Sequence, residues 1–372
     1  MGLQRILVPA SFVFMVGVGS VVATLPVVLR QLSSNDVEVS LAVTVWGLAY
    51  LFSNIPAGVL ADKLGANRTV PLAFFFNIAV GLYMYSAASP LGFAVARAIE
   101  GLLEALVWTG VFGLAARSEN RLLGVSSIYA AIALGFTVGP LVASYLAPLS
   151  ARLSFLVYSL CSLTSLLITL PLAREQPVGV GRVRIRFPKA LVVLPPLIAA
   201  LTVGLSESVL IVYSPVLASH GAVAGPQQLI SAYYLSGLLG QVALRLAPQA
   251  IMREEYVFMS TATALLALKL LPEGIVVLGV AVLGFVNAQL ASRSQAKVTE
   301  AMKGLESTGA GLANLAWALG YFAGSPLYSL FLNSSVSPRT GIALYLLASL
   351  AAQLSILLIA KAGSSRARRS HE

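Results

Sequence analysis

Apolar residues run along this chain in long blocks separated by short polar stretches, with no period-two alternation. The blocks fall at 6–29, 39–60, 69–88, 91–115, 123–147 and 153–173, then at 190–217, 227–246, 256–272, 274–292, 308–332 and 340–361. Each is close to the roughly 20 residues that an α-helix needs to cross a bilayer core. An outer-membrane barrel would show alternating strands instead. The pattern therefore predicts an all-α polytopic membrane protein with twelve transmembrane helices. The first block, Ile6 to Leu29, is too long for the core of a cleaved signal and is expected to be the first span.

Composition narrows this further. Of 372 residues, 58% are hydrophobic and only 10% charged, with a mean hydropathy of +0.88. A soluble chain carries about 25% charged residues, so this one cannot cover a water-facing surface of its size. Twelve spans use roughly 240 residues, which leaves short loops and no sizeable extramembrane domain.

The charges are distributed unevenly. With the N-terminus in the cytoplasm, 19 of the 24 Lys and Arg fall on inside segments, against Arg30, Arg152, Lys269 and Arg339 outside and Arg97 within a span. Basic residues favour the cytoplasmic face, so the net charge of +10 reads as a topology signal and needs no nucleic acid to explain it. Both termini are expected in the cytoplasm, and the protein in the cell membrane. The widest polar interruption, Arg174 to Lys189, divides six spans from six. The expected organisation is a first six-helix bundle at 1–174 and a cytoplasmic linker at 175–188. A second bundle follows at 189–361, with a basic tail at 362–372.

The halves echo one another. Ala131-Ile-Ala-Leu-Gly135-Phe-Thr-Val-Gly139-Pro140 in the fifth span matches Ala316-Trp-Ala-Leu-Gly320-Tyr-Phe-Ala-Gly324-Ser-Pro326 in the eleventh. Gly58 and Lys63 after span two match Gly240 and Arg245 after span eight. An internal six-span repeat is the mark of a transporter built from two related bundles.

The loop Gly58-Val-Leu-Ala-Asp62-Lys63-Leu-Gly65-Ala-Asn-Arg68 resembles, at every defining position, the Gly-x-x-x-Asp-Arg/Lys-x-Gly-x-x-Arg/Lys loop of the major facilitator superfamily. Arg97-Ala-Ile-Glu100-Gly101 resembles the family's Arg-x-x-Gln-Gly motif, with Glu in place of Gln. Gly135-x-x-x-Gly139-Pro140 is similar to the span-five motif of its drug and metabolite antiporters, in part only: Ser126 stands where a glycine is expected. The resemblance implies that Asp62 latches the cytoplasmic side through the start of span eleven, near Ser307 and Thr308. It also implies that Gly135, Gly139 and Pro140 help prevent leak, and that spans one, four, seven and ten line a central cavity. The residues allow a plainer reading too, in which Lys63 and Arg68 only satisfy the inside-positive rule.

Arg97, Glu100 and Glu104 lie on one face of the fourth span, and Trp108 extends the stripe. Each charge near the bilayer centre costs about 2.5–3.5 kcal/mol on the insertion scale, so the stripe should face a polar cavity. Burial disfavours a charged carboxylate and a neighbouring guanidinium favours it; a carboxyl that changes partner can load and release a proton. The alternative is a static Arg97–Glu100 pair that braces the bundle. Glu207, in the seventh span, has no basic residue near it in sequence and is expected either in the cavity or protonated. Facing acids would suit a cationic or amphiphilic substrate. Asn54, Asn77, Asn287, Gln289 and Asn314 are expected mainly in interhelical hydrogen bonds, and Trp46, Tyr50, Tyr233 and Tyr234 mainly in core packing.

Other chemistries lack residues. One cysteine, Cys161, two histidines, His220 and His371, and two aspartates, Asp36 and Asp62, leave no disulfide, zinc site or aspartate-rich magnesium motif. There is no phosphate-binding GxxxxGK[ST] loop. No cofactor and no enzymatic activity are expected. The expected protein is a monomeric secondary transporter exporting small amphiphilic or cationic compounds, with protons as the coupling ion. A symporter or facilitator for a sugar, acid or other metabolite is the alternative, and a membrane sensor or enzyme a more distant one.

Overall fold

The computed structural model describes residues 2–32, 36–175, 190–219, 226–246 and 276–332. These form ten helices: α1 (Gly2–Leu32), α2 (Asp36–Leu64), α3 (Ala66–Ser86), α4 (Pro90–Ala115), α5 (Arg121–Leu146), α6 (Leu153–Ala173), α7 (Ala190–Ser219), α8 (Pro226–Leu246), α9 (Val276–Ala301) and α10 (Glu306–Leu332). Among the described residues, eight helical stretches are long and apolar enough to cross a membrane. The predicted spans at 256–272 and 340–361, most of the 175–188 linker and the 362–372 tail lie outside the described residues.

Helix starts follow local chemistry. Ser89 caps α4 by accepting from the Gly92 N–H, with Pro90 in the first turn, where its missing N–H costs nothing. Asn120 caps α5 by accepting from the Leu123 N–H. Gly65 separates α2 from α3 with a φ of 91°, a conformation that a side chain would strain. One predicted boundary is corrected by a full turn and more. The tenth span, expected at 274–292, continues as α9 to Ala301, because the polar stretch after Ala291 still buries Ser292, Gln295, Ala296 and Thr299 along one side.

The chain groups into two units, residues 1–185 with 302–315, and residues 186–301 with 316–372. In the first, α1 packs on α5 and α6, α2 on α4, and α3 on α4 and α6. Gly135 and Gly139 give α5 its close approach to α1: a Cβ at Gly139 would lie 2.8 Å from Gly19 Cα, and one at Gly135 would lie 3.0 Å from the Met15 carbonyl carbon. Pro140 sits inside α5 beside this contact, 3.3 Å from where a Gly19 Cβ would be. In the second unit α9 packs on α7 and α8. α10 begins in the first unit and passes into the second.

Candidate functional site

Asp62, in the last turn of α2, is 1% exposed. Its Oδ1 accepts the Ser307 N–H at 3.1 Å, and its Oδ2 accepts both the Thr308 N–H and the Thr308 hydroxyl at 2.7 Å. Free N–H groups and the helix dipole make the first turn of a helix an anion seat, and Asp62 occupies the one at the start of α10. Gly58 brings the backbones together: a Cβ there would meet the Ser307 carbonyl oxygen at 2.5 Å and Thr308 Cα at 2.8 Å.

The basic residues of the loop are not part of this seat. Lys63 and Arg68 are exposed, and neither forms an ion pair among the described residues. The cation beside Asp62 is Arg117, whose Nη2 lies 3.5 Å from Asp62 Oδ1 and whose Nε lies 3.5 Å from Glu306 Oε2. Glu306 Oε1 also accepts the Gly304 N–H. Sequence reasoning counted Arg117 only as a topology charge and did not single out Glu306. The signal available was an acid in the first turn of the span whose N-terminus faces Asp62.

The α4 stripe is buried throughout, with Arg97 at 4%, Glu100 at 0% and Glu104 at 3% exposure. Arg97 Nη1 donates to Glu100 Oε2, and the guanidinium carbon lies 5.3 Å from the Trp46 ring centroid. A cation over an indole face is held by the ring quadrupole. Glu104 follows Glu100 one turn along the same buried face of α4, and Trp108 follows one turn further on. One oxygen of each acid, Glu100 Oε1 and Glu104 Oε1, meets no donor among the described residues. Trp108 packs against Phe14 and Phe112.

Glu207 is held differently. Tyr234 on α8 donates its hydroxyl to Oε1, and the Trp317 indole on α10 donates to Oε2 at 2.8 Å. Tyr233, beside Tyr234, accepts from Asn287 on α9 at 3.1 Å. Tyr234, expected in core packing, thus serves the acid as well, and Trp317 went unnoticed as its partner because it lies 110 residues away in sequence. Of the amides expected between helices, Asn77 accepts from the Tyr158 hydroxyl at 2.6 Å and Asn287 reaches Tyr233. Asn54 instead donates to the Tyr50 carbonyl in its own helix; among the described residues, neither side-chain polar atom of Gln289 is paired, nor is Asn314 Nδ2. Backbone carbonyls within reach of a short side chain satisfy Asn54 locally.

No group of three or more potential metal ligands occurs among the described residues.

Residues 7–325 match the family model described as Major Facilitator Superfamily. The chain is 28% identical over 148 residues to the quinolone resistance protein NorA of Staphylococcus aureus, covering 39% of this chain and 38% of that protein. It is 24% identical over 176 residues to multidrug resistance protein 1 of Bacillus subtilis, covering 46% and 44%. The matches thus span less than half the length of these curated relatives. Among solved structures, the human organic anion transporter MFSD10 (TETRAN) superposes with a TM-score of 0.72 at 16% identity, over 95% of this chain and 98% of that one. That likeness speaks for the fold.

Proposed function

The chain belongs to the Major Facilitator Superfamily, a family of transporters and not of enzymes, and from that premise we propose that it is a proton-coupled exporter of small amphiphilic or cationic compounds. The observation that carries this reading is the α4 stripe: two acids and a cation buried in a membrane helix, where topology gives no reason to keep them. A structural brace would need Arg97 and Glu100 alone. Glu104 adds a second buried carboxyl one turn along the same helical face, and a carboxyl beside another acid and a cation can take up and pass on a proton. The drug-resistance names of the bacterial relatives support export as the direction.

In this reading Arg97 and Glu100 set the charge balance of the stripe, Glu104 carries the proton, and Glu207 with its aromatic neighbours faces a cationic substrate. Asp62, held by the start of α10, is the latch that must open for the carrier to change face. Gly135, Gly139 and Pro140 seal α5 against α1. The bilayer is the protein's medium, the monomer its working unit and the substrate a small molecule.

The test is substrate-induced proton movement in liposomes holding the purified protein, with ethidium and norfloxacin as first probes and sugars and organic acids as comparison. Proton movement with a cationic or amphiphilic probe is expected. No pH change with any of them would replace this reading with a uniporter or a non-transporting protein.

A further inference from the structure

The acid in the first unit and the acid in the second stand in the same local frame. Glu104 follows Gly101 by three residues on α4, and Glu207 follows Gly204 by three residues on α7. The helix packed against each glycine carries a Trp-x-x-x-Tyr pair, Trp46 and Tyr50 on α2, Trp317 and Tyr321 on α10. The same atoms meet in the same order. A Cβ on Gly101 would strike the Trp46 carbonyl oxygen and lie 3.0 Å from Tyr50 N, while one on Gly204 would strike the Trp317 carbonyl oxygen and lie 2.8 Å from Tyr321 N. The rings stack alike, with centroids 5.3 Å apart at 15° for Trp46–Tyr50 and 5.2 Å apart at 27° for Trp317–Tyr321.

The two frames differ in one bond. Trp317 Nε1 donates to Glu207 at 2.8 Å. Among the described residues of the first unit, Trp46 Nε1 is buried with no partner, and Glu104 Oε1 is buried with no donor. Buried polar groups are almost always paired, so a donor and an acceptor left unpaired in a frame that pairs them elsewhere mark a bond that has been released. What differs nearby is charge. Arg97, four residues before Gly101, sits over the Trp46 ring and binds Glu100; the positions that correspond to Arg97 and Glu100 before Gly204 are Ala200 and Val203.

The geometry points to a twinned carboxyl clasp, Gly-x-x-Glu against Trp-x-x-x-Tyr, closed at Glu207 and open at Glu104, with Trp317 and Trp46 as its positioning residues. A carboxylate accepts the indole N–H in a charge-assisted bond, roughly twice as strong as a neutral one. A proton taken from water neutralises the carboxyl, the indole bond loses that assistance, and the acid is freed. The charged and titratable groups around the open site are Arg97 and Glu100 on its own helix, with Tyr50 from α2 and Tyr158 from α6 in electrostatic range of Glu104. Those that bias the closed site are Tyr233 and Tyr234 from α8, with Tyr321 from α10 acting on Tyr234. The link from clasp to transport rests on the proton-coupled reading above, whereas the bond itself does not.

Only three tryptophans are present, so protein labelled with 15N in the indole ring gives three side-chain signals, assigned by Trp→Phe variants. In substrate-free protein at neutral pH, the Trp317 indole proton is expected downfield and to move upfield in Glu207→Gln. The Trp46 signal is expected to stay in place in Glu104→Gln. Acidification of the wild type should reproduce the Trp317 shift without any substitution. A Trp317 signal indifferent both to Glu207→Gln and to acid would overturn the clasp, and equal shifts at Trp46 and Trp317 would overturn the open–closed difference. Trp46→Phe and Trp317→Phe keep a ring and remove the N–H. Each is expected to shift the pH profile of ethidium transport in liposomes severalfold at the flanks. Unchanged profiles in both variants, with the NMR shifts present, would leave the bond and remove its role in coupling.

Discussion

Glu104 and Glu207 are both seated against a stacked Trp–Tyr pair, but one is surrounded by charge and the other by hydroxyl and indole donors. Glu207 has a donor on each oxygen and no cation beside it among the described contacts. Glu104 has a second acid in range, a cation one step away, and an oxygen with no donor. A carboxylate with both oxygens satisfied by neutral donors needs no change of partner. A carboxyl that shares its site with another acid and an arginine has two or more near-equivalent arrangements, and that is the property a coupling site requires. The first unit thus has the chemistry of a site with several near-equivalent partners, and the second that of a carboxylate held in one arrangement until a proton releases it.

The largest test of this contrast is Arg97→Leu. It leaves Glu100 buried without its partner, and losing one member of a buried ion pair costs about 3–5 kcal/mol. A marked fall in thermal unfolding temperature in detergent is expected. Wild-type stability would mean that the charges of the first unit are as dispensable as Ala200 and Val203 suggest for the second.

Asp62→Asn supplies the yardstick of an acid that is held by donors but works as a latch. Hydrogen bonds to a charged group contribute about 1.5–3 kcal/mol each, and Asp62 accepts three. The variant is expected to insert and express while losing most transport, read as initial rates in liposomes. Wild-type rates would remove the latch.

Much of this was legible in the sequence. The loop motif marked Asp62 and pointed to Ser307 and Thr308, and three charges on one helical face marked Arg97, Glu100 and Glu104. What could not be read were pairings across distant helices: Arg117 with Glu306, and Trp317 with Glu207. Periodicity says which residues share a face, but not which faces meet. The polar end of α9 was missed for a related reason, since a hydropathy block ends where an amphipathic helix continues.

Tyr234→Phe sharpens the contrast from the other side. It removes one of the two donors to Glu207 and is expected to lower stability by about 1.5–3 kcal/mol, with the proton dependence of transport kept. A lost proton dependence would make Glu207 the site that changes state.

The smallest effect is expected from Glu100→Gln, which restores the family's residue beside Gly101. Glutamine still accepts from Arg97, so transport rates should stay within about tenfold of wild type, one factor of ten being about 1.4 kcal/mol of barrier, and remain proton-dependent. Loss of proton dependence would move the coupling role from Glu104 to Glu100.

Glu104→Gln in liposomes is the most direct measurement. Two assays are run on the same preparation: proton-driven accumulation of ethidium, and ethidium counterflow exchange without a pH gradient. Coupling through Glu104 predicts that accumulation is lost while exchange continues. Accumulation with unchanged proton dependence would contradict it.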